Sequence, residues 1–527
     1  MTEETETSHS TSAVGATIPP SISGPSTTNT TRNNKRGLVE TVGALANKPK
    51  RPRRETKRPA RFDDYKCFQA QLVKISQGET NHNKIPIPRN LKEALSGPYR
   101  KHWRKAFDLE FESLIDNARF ESLRLVLAIG TILDCHIHQM DVHTAFLNGT
   151  MEGNQRIYMR QPPGYHAKEK EGYVCELLKS IYGLRQAPRI WYGVLHKFLK
   201  SMGFARCNKE YCIYVQKVGV DWIIIVVYVD DLTIMSKSLK LINNIKRELS
   251  MRFKMKDLGD IHYILKMEVR RNRENKTMSI SQHQYILDLL KKYKIEKSSA
   301  VTTPQLAGRE LEPETNMSAA EIGAQNFDYR GLIGSLQYLV RGTRPDIANA
   351  VRELSKYLSC YNKTHWEAAR RVLKYLKGTS TYGLLLNGKS KEMAGCTISW
   401  CSSKQGCVSL STAETELIAL SEDTKESEWL WHLLSEMGFK QELPVQVWCD
   451  SRSAISITKN PGNHKASKYI EIKYLFTRDL VEEGRLTIEY CPTANMAADI
   501  LTKALPTKQF TILITKIGVK DLATVYT

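Results

Sequence analysis

Hydrophobic positions divide this chain into four stretches of different period. From Leu91 to Asp116, Trp103, Ala106, Phe107 and Leu114 recur at the spacing of a helix with one buried face. From Ala118 to about Ile295 the pattern alternates between helix and strand, as in an α/β or α+β domain. A helical stretch follows from Tyr329 to Lys377, with Leu332, Leu336, Tyr338, Leu339, Trp366, Val372 and Tyr375 as candidate core. The last stretch, about Gly383 to Leu505, mixes strands and helices again, and no internal repeat is visible. One run stands apart. Trp222 to Val227 is apolar without interruption and ends in Tyr228-Val229-Asp230-Asp231. It predicts a buried strand with two adjacent carboxylates at its tip. Unpaired buried charge is costly, so packing gives little reason for that pair.

Composition sets the class. The chain has 527 residues, 41% of them hydrophobic, which suffices for two or three cores. A formal charge of +21 points to a polyanionic partner, most simply nucleic acid, although a basic surface without a partner fits the same number. The 11 cysteines form no CxxC pair, and Cys396, Cys401 and Cys407 lack zinc spacing, so reduced thiols in a soluble intracellular protein are expected. The polar N-terminus has no signal peptide, and no apolar run is long enough to span a bilayer, which excludes a membrane partner. Residues 1–34, rich in Ser, Thr and Pro, predict disorder. The block Lys48, Lys50, Arg51, Arg53, Arg54, Lys57, Arg58 and Arg61 reads as an arm for phosphates, a nuclear address or a solvated linker.

Chemistry enters with a third carboxylate. His136 to Met140 reads as a short strand delivering Asp141 to its end. Asp141, Asp230 and Asp231 on two neighbouring strands would suit a pair of divalent cations about 3.5–4 Å apart, the arrangement used for in-line phosphoryl transfer. Hard oxygen ligands favour Mg²⁺ or Mn²⁺. A lone Asp-Asp is more often a turn. Further along, Ser411 and Glu414 form a helix-capping pair, which leaves Glu416 free. Asp450 ends the strand Val445 to Cys449, and Asp499 lies in a predicted helix, Met496 to Lys503.

Several ordered motifs decide between turn and site. QMDVHTAFLNG (139–149), IYMRQPPGY (157–165), LLKSIYGLRQAPRIWY (177–192), YVDDLTIMS (228–236) and FKMKDLGDIHYIL (253–265) resemble a copia-type retrotransposon reverse transcriptase. LIGSLQYLVRGTRPDIANAV (332–351) and HWEAARRVLKYLKGT (365–379) resemble its connection. ISWCSSKQ, LSTAETEL, CDSRSAI and MAADILTK resemble its ribonuclease H. The resemblance covers roughly residues 85 to 510. It implies an α+β multidomain chain, with a disordered basic arm at 1–84 and a right-hand polymerase with truncated fingers and retained palm at 85–300. A helical thumb or connection at 301–380, a ribonuclease H-like α/β domain at 381–510 and a tail at 511–527 would follow.

The resemblance also implies roles. Asp141 and Asp230 would ligate both metals with Asp231 in support. Phe146 would lie under the deoxyribose and exclude a 2′-hydroxyl, and Gln186 would line the nucleotide site. Asp257-Leu258-Gly259 would hold the primer end, though Lys266 stands where a second glycine is usual. Glu416, Asp450 and Asp499 match three of four ribonuclease H ligands for a second metal pair, with His464 in the loop nearby. Partners would be an RNA template, a DNA primer, dNTP and an RNA–DNA hybrid, in a cytoplasmic particle or the nucleus. Oligomeric state stays open.

Two family segments are missing. The fingers strands and their cations are lost after Asn117, leaving only Arg119 and Arg124 as cations before Asp141. No aspartate occurs from Ile347 to Glu422, where the fourth ribonuclease H ligand belongs, and Glu392 does not match its setting. Impaired activity is therefore expected. The alternative is a non-catalytic nucleic-acid-binding remnant.

Overall fold

The apolar run lies in the strand Asp221–Tyr228, and it does not alternate because both faces of that strand are covered. Ile223, Ile225 and Val227 enter one core, while Ile224 and Val226 enter another. The computed structural model describes residues 70–73, 120–151, 156–164, 170, 172–308, 310–389, 395–405, 411–459 and 475–525. The Leu91 to Asp116 pattern, Arg119, Glu392, Cys407, His464 and the basic residues Lys50, Arg51, Arg53, Arg54, Lys57 and Arg58 lie outside them.

In chain order the first elements are β1 (Ala70–Val73), α1 (Phe120–Ile132), β2 (His136–Val142), β3 (Tyr158–Arg160), β4 (Val174–Leu177), α2 (Ala187–Ser201), β5 (Ala205–Arg206) and β6 (Ile213–Val218). Then come β7 (Asp221–Tyr228), β8 (Asp231–Ser236), α3 (Leu239–Arg252) and β9 (Met255–Asp260). An antiparallel sheet of order β5-β6-β7-β8-β2-β9 results. Trp191 and Leu195 of α2 and Ile242 and Leu249 of α3 cover one face. Leu125, Val126 and Ile129 of α1 join Ile137 and Met235 in the core on the other.

The middle of the chain holds β10 (Tyr263–Ile264), β11 (Met267–Asn272), β12 (Thr277–Ser281), α4 (His283–Lys292), α5 (Ala319–Ala324), α6 (Tyr329–Gly342), α7 (Ala348–Ser355), α8 (Lys363–Gly378) and β13 (Tyr382–Asn387). The helical stretch is thus interrupted. Pro345 cannot continue α6, and Arg344 and Asp346 turn inward there as a fully buried ion pair at 2.7 Å. The Tyr375 hydroxyl donates to Asp346 at 2.7 Å. A buried charge pair needs such extra hydrogen bonds.

The last part holds α9 (Thr412–Glu436), β14 (Val445–Cys449), α10 (Arg452–Lys459), α11 (Leu475–Glu482), β15 (Leu486–Tyr490), α12 (Asp499–Thr502), α13 (Thr507–Lys516) and β16 (Val519–Asp521). β14 and β15 pair in parallel as a two-stranded sheet. β13 does not join them. It pairs with β12 and with β16, completing a sheet of order β10-β11-β12-β13-β16. The boundary expected at 381 therefore cuts between strands of one sheet. The tail expected at 511–527 contributes a strand and the buried Leu513, Ile517 and Val519.

Contacts divide the chain into two units, and all of these helices and the larger sheets belong to the first. The second, Ile18–Thr80 with Met151–Lys179, contains the antiparallel sheet β1-β4-β3. Mixed helix and largely antiparallel sheet make the fold α+β, as expected. Among the described residues no helix is long and apolar enough to cross a membrane.

Candidate active site

Asp141 is the next-to-last residue of β2, and its cross-strand partner is Asp231, the first residue of β8. Directly opposed side chains start about 5 Å apart, and like charges placed so are destabilising. Asp230 lies beside them in the two-residue turn joining β7 to β8. The preceding turn residue, Val229, has φ +56°, a conformation that strains a β-branched side chain. Such turns normally take Asn or Gly. Two hydrogen bonds brace the turn: the Trp191 indole donates to the Val229 carbonyl at 2.6 Å, and Val142 N–H donates to the Asp230 carbonyl at 2.9 Å.

Burial first, and then the neighbouring Asp141 charge, hold the Asp230 carboxyl above its ordinary range. Asp231 is raised likewise by burial and by Asp230 and Asp141, against a hydrogen bond from Gln139 that lowers it. That bond runs from Gln139 Nε2 to Asp231 Oδ1 at 3.1 Å, and Gln139 itself is buried. No cation among the described residues offsets the charge of Asp230 or Asp231. Three acidic groups are thus brought together, with Lys256 of β9 the other cross-strand neighbour of Asp141, and their oxygen donors suit a hard divalent cation.

Phe146 sits in the short 3₁₀ turn Ala145–Asn148 just beyond β2, where its ring lies 4.7 Å from that of Tyr182. Gln186 is the half-buried N-cap of α2, and its side chain makes no capping bond. Ser180 N–H donates to Gly149 at 3.0 Å, tying the Phe146 turn to the segment leading to Gln186. Gly149 is obligatory there, because a Cβ would meet Ile190 Cγ2 at 2.3 Å. Gln139, Trp191 and Tyr182 escaped the sequence reading. Only the first could have been suspected, from its place in the Asp141 strand.

Arg124 is a correction. One of the two cations expected before Asp141 is 1% exposed and committed elsewhere. Its guanidinium donates to the carbonyls of Ile398 at 2.6 Å and Arg341 at 2.7 Å and stacks on Trp400 at 3.8 Å. It cannot reach a triphosphate.

The segment Asp257-Leu258-Gly259 lies in the edge strand β9, where Leu258 is an extra residue between the pairs Gln139↔Gly259 and Met140↔Asp257. The resulting bulge brings Asp257 and Asp260 to one face, beside Lys246 and His138. Lys246 is buried, and its Nζ lies 2.6 Å from Asp257 Oδ1 and 2.7 Å from His138 Nδ1. Lys266 occupies a two-residue turn at φ +59°, which explains why glycine would suit that position better.

His136, His138 and Asp260 have ligand atoms all within 4.8 Å of one another. Their surroundings oppose a metal. Lys246 points at His138 Nδ1, and Arg273 Nη2 is 3.1 Å from His136 Nδ1. A metal-bound imidazole instead gives its second N–H to an acceptor. The trio belongs to an ion-pair network.

At the second acidic set, Ser411 caps α9 by accepting from Glu414 N–H at 3.2 Å, as expected. Burial and then Asp450 raise the Glu416 carboxyl, with Asp499 adding and Lys503 opposing. Asp499 is nearly buried and also raised, despite Lys503 Nζ at 2.7 Å from its Oδ1. The three groups therefore sense one another, but a lysine already occupies one of them. Asp423 was overlooked. It lies two helical turns from Glu416 on α9 and, with Glu416 and Asp450, raises the Cys449 thiol, whose largest cause is burial.

Residues 97–307 match the family described as reverse transcriptase (RNA-dependent DNA polymerase). Over 434 residues, 77% of the chain, the sequence is 36% identical to the retrovirus-related Pol polyprotein from transposon TNT 1-94 of Nicotiana tabacum, covering 32% of that protein. It is 34% identical to the polyprotein from transposon RE1 of Arabidopsis thaliana over 76% of the chain and 28% of that protein. A putative transposon Ty5-1 protein of Saccharomyces cerevisiae is 31% identical over 54% of the chain and 100% of its own length. The chain thus spans about a third of the two plant polyproteins. A foamy viral protease-reverse transcriptase in complex with RNA/DNA hybrid aligns at 12% identity and a TM-score of 0.36, over 70% of this chain and 45% of that one. So slight a structural likeness carries no weight beside the sequence matches.

Proposed function

Because this chain belongs to the reverse transcriptase family of copia-type transposon Pol polyproteins, we propose that Asp141, Asp230 and Asp231 form an RNA-directed DNA polymerase centre. One observation carries the reading: Asp141 and Asp231 are cross-strand partners beside Asp230, with no cation among the described residues to offset Asp230 or Asp231. Their oxygens fit Mg²⁺ or Mn²⁺. A bound pair of such ions would supply the Lewis acidity that activates a primer 3′-hydroxyl and offsets charge on the leaving pyrophosphate.

The chain's own residues do the rest. Asp141 and Asp230 present carboxylates from a strand end and a braced turn, and Gln139 orients Asp231. Phe146 and Gln186 would meet the sugar and base of a dNTP, and the β9 segment would meet the primer end. With Arg124 buried and the fingers cations expected to be absent, nucleotide binding should be weak. Primer extension on an RNA template with Mg²⁺ or Mn²⁺ tests the reading. Extension should vanish with a chelator and in Asp230→Ala. A silent wild type, or an equally active variant, defeats it.

Ribonuclease H activity should be slight or absent. Glu416, Asp450 and Asp499 would hold metal without a fourth ligand, Lys503 competes for Asp499, and β14 and β15 lack further paired strands among the described residues. Robust hybrid cleavage that Asp450→Asn abolishes would overturn this. The burial of Arg124 favours a second reading, a nucleic-acid-binding remnant that has lost catalysis. It requires sequence-independent binding that weakens steeply with salt between about 50 and 200 mM, without extension.

A further inference from the structure

Tyr182 is a large aromatic side chain that stays 54% exposed, yet its ring meets Phe146 at 4.7 Å between centroids and 59° between planes. Its backbone leaves it little freedom. Leu184 N–H donates to the Ile181 carbonyl at 3.3 Å, closing a turn in which Gly183 has φ +94°. A type II turn requires that conformation at its third residue, which only glycine adopts readily, and it sets Tyr182 at the second. The same segment is tied to the Phe146 turn twice: Ser180 N–H donates to Gly149, and the Ser180 hydroxyl donates to the Phe146 carbonyl. One side of Phe146 packs on the core beneath the sheet, and Tyr182 adds a ring from outside that core.

We infer that Tyr182 is a positioning residue for sugar selection, whose ring holds Phe146 in the orientation that would exclude a 2′-hydroxyl. The inference rests on the polymerase reading of the same site. A phenyl ring with a free outer face can swing about its side-chain bonds, and a displaced ring leaves room for a ribose. A second ring at van der Waals distance removes that freedom. Tyr182→Phe keeps the ring that makes this contact, so it should keep the preference.

The experiment is single-nucleotide incorporation of dATP and ATP by the full chain on a primed RNA template, comparing wild type, Tyr182→Ala, Tyr182→Phe, Phe146→Ala and the double variant Tyr182→Ala with Phe146→Ala. The readout is the ratio of kcat/KM for dATP to that for ATP. Tyr182→Ala should lower the ratio roughly two- to tenfold, the size of one ring–ring contact. Tyr182→Phe should restore it. In the double variant the ratio should fall no further than in Phe146→Ala alone, because the tyrosine acts only through that ring. Equal losses for both nucleotides in Tyr182→Ala, or additive losses in the double variant, overturn the inference while leaving the polymerase reading intact. A wild type that incorporates neither nucleotide overturns both.

Discussion

Asp230 and Asp231 sit in the fold at a cost that pH can report. Burial and mutual charge raise both carboxyls, so the folded chain binds more protons than the unfolded chain between the ordinary carboxyl value and the raised one. The fold therefore loses stability as pH climbs through that window, and Glu416 and Asp499 act with the same sign. Asp230→Asn removes one of the repelling charges. It should raise stability near neutral pH by about a few tenths of a kcal/mol, since solvent screens a half-exposed group. That gain should fade as pH falls toward about 4. Urea midpoints of the two proteins across pH measure it. Added Mg²⁺ should then stabilise the wild type more than the variant. The carboxylates themselves were legible in the sequence, because two adjacent acids after an apolar run are hard to explain by packing. Gln139 was not, since an amide becomes a partner only when a neighbouring strand brings the carboxylate opposite.

At the scale of elements, the site depends on how the turn Ala145–Asn148 docks on α2. Gly149→Ala would place a Cβ 2.3 Å from Ile190 Cγ2 and 3.2 Å from Ser180 Oγ. Its φ of −95° suits alanine, so the damage is steric. Overpacking of this kind costs roughly 1–3 kcal/mol. The turn carrying Phe146 should shift, lowering both the thermal midpoint and the dATP over ATP preference. Unchanged values for both would show that the turn is not wedged. Helix and strand type followed the hydrophobic pattern, by alternation in β2 and by an uninterrupted apolar run in β7. Where helices end followed local chemistry instead. Pro345 interrupts the run after α6, and the side chain of Asn362 accepts from Thr364 N–H at 2.9 Å to open α8.

For the whole molecule, the C-terminus matters more than its position suggests. β16 is the edge strand against β13, and Leu513, Ile514, Ile517 and Val519 are buried in the same core as α1 and the β11–β12 strands. Each such side chain is worth roughly 1.5–3 kcal/mol on burial. Deleting residues 511–527 should exceed the stability of an ordinary domain, roughly 5–15 kcal/mol at most, or leave little of it. The truncated chain should be insoluble or rapidly proteolysed, and a stable, cooperatively unfolding product would contradict that.

The α+β class, the family, the strands that carry Asp141 and Asp231 with Asp230 beside them, and the cap on the helix of Glu416 were readable in the residues alone. These are local facts, set by hydrophobic period and by motifs whose parts lie within a few residues. That Arg124 is structural and that β13 belongs with β12 and β16 emerged only once the chain was folded. The Ile398 carbonyl that engages Arg124 lies 274 residues along the chain. Whether a charge faces solvent or a buried carbonyl is settled by what covers it, and no window of sequence contains both.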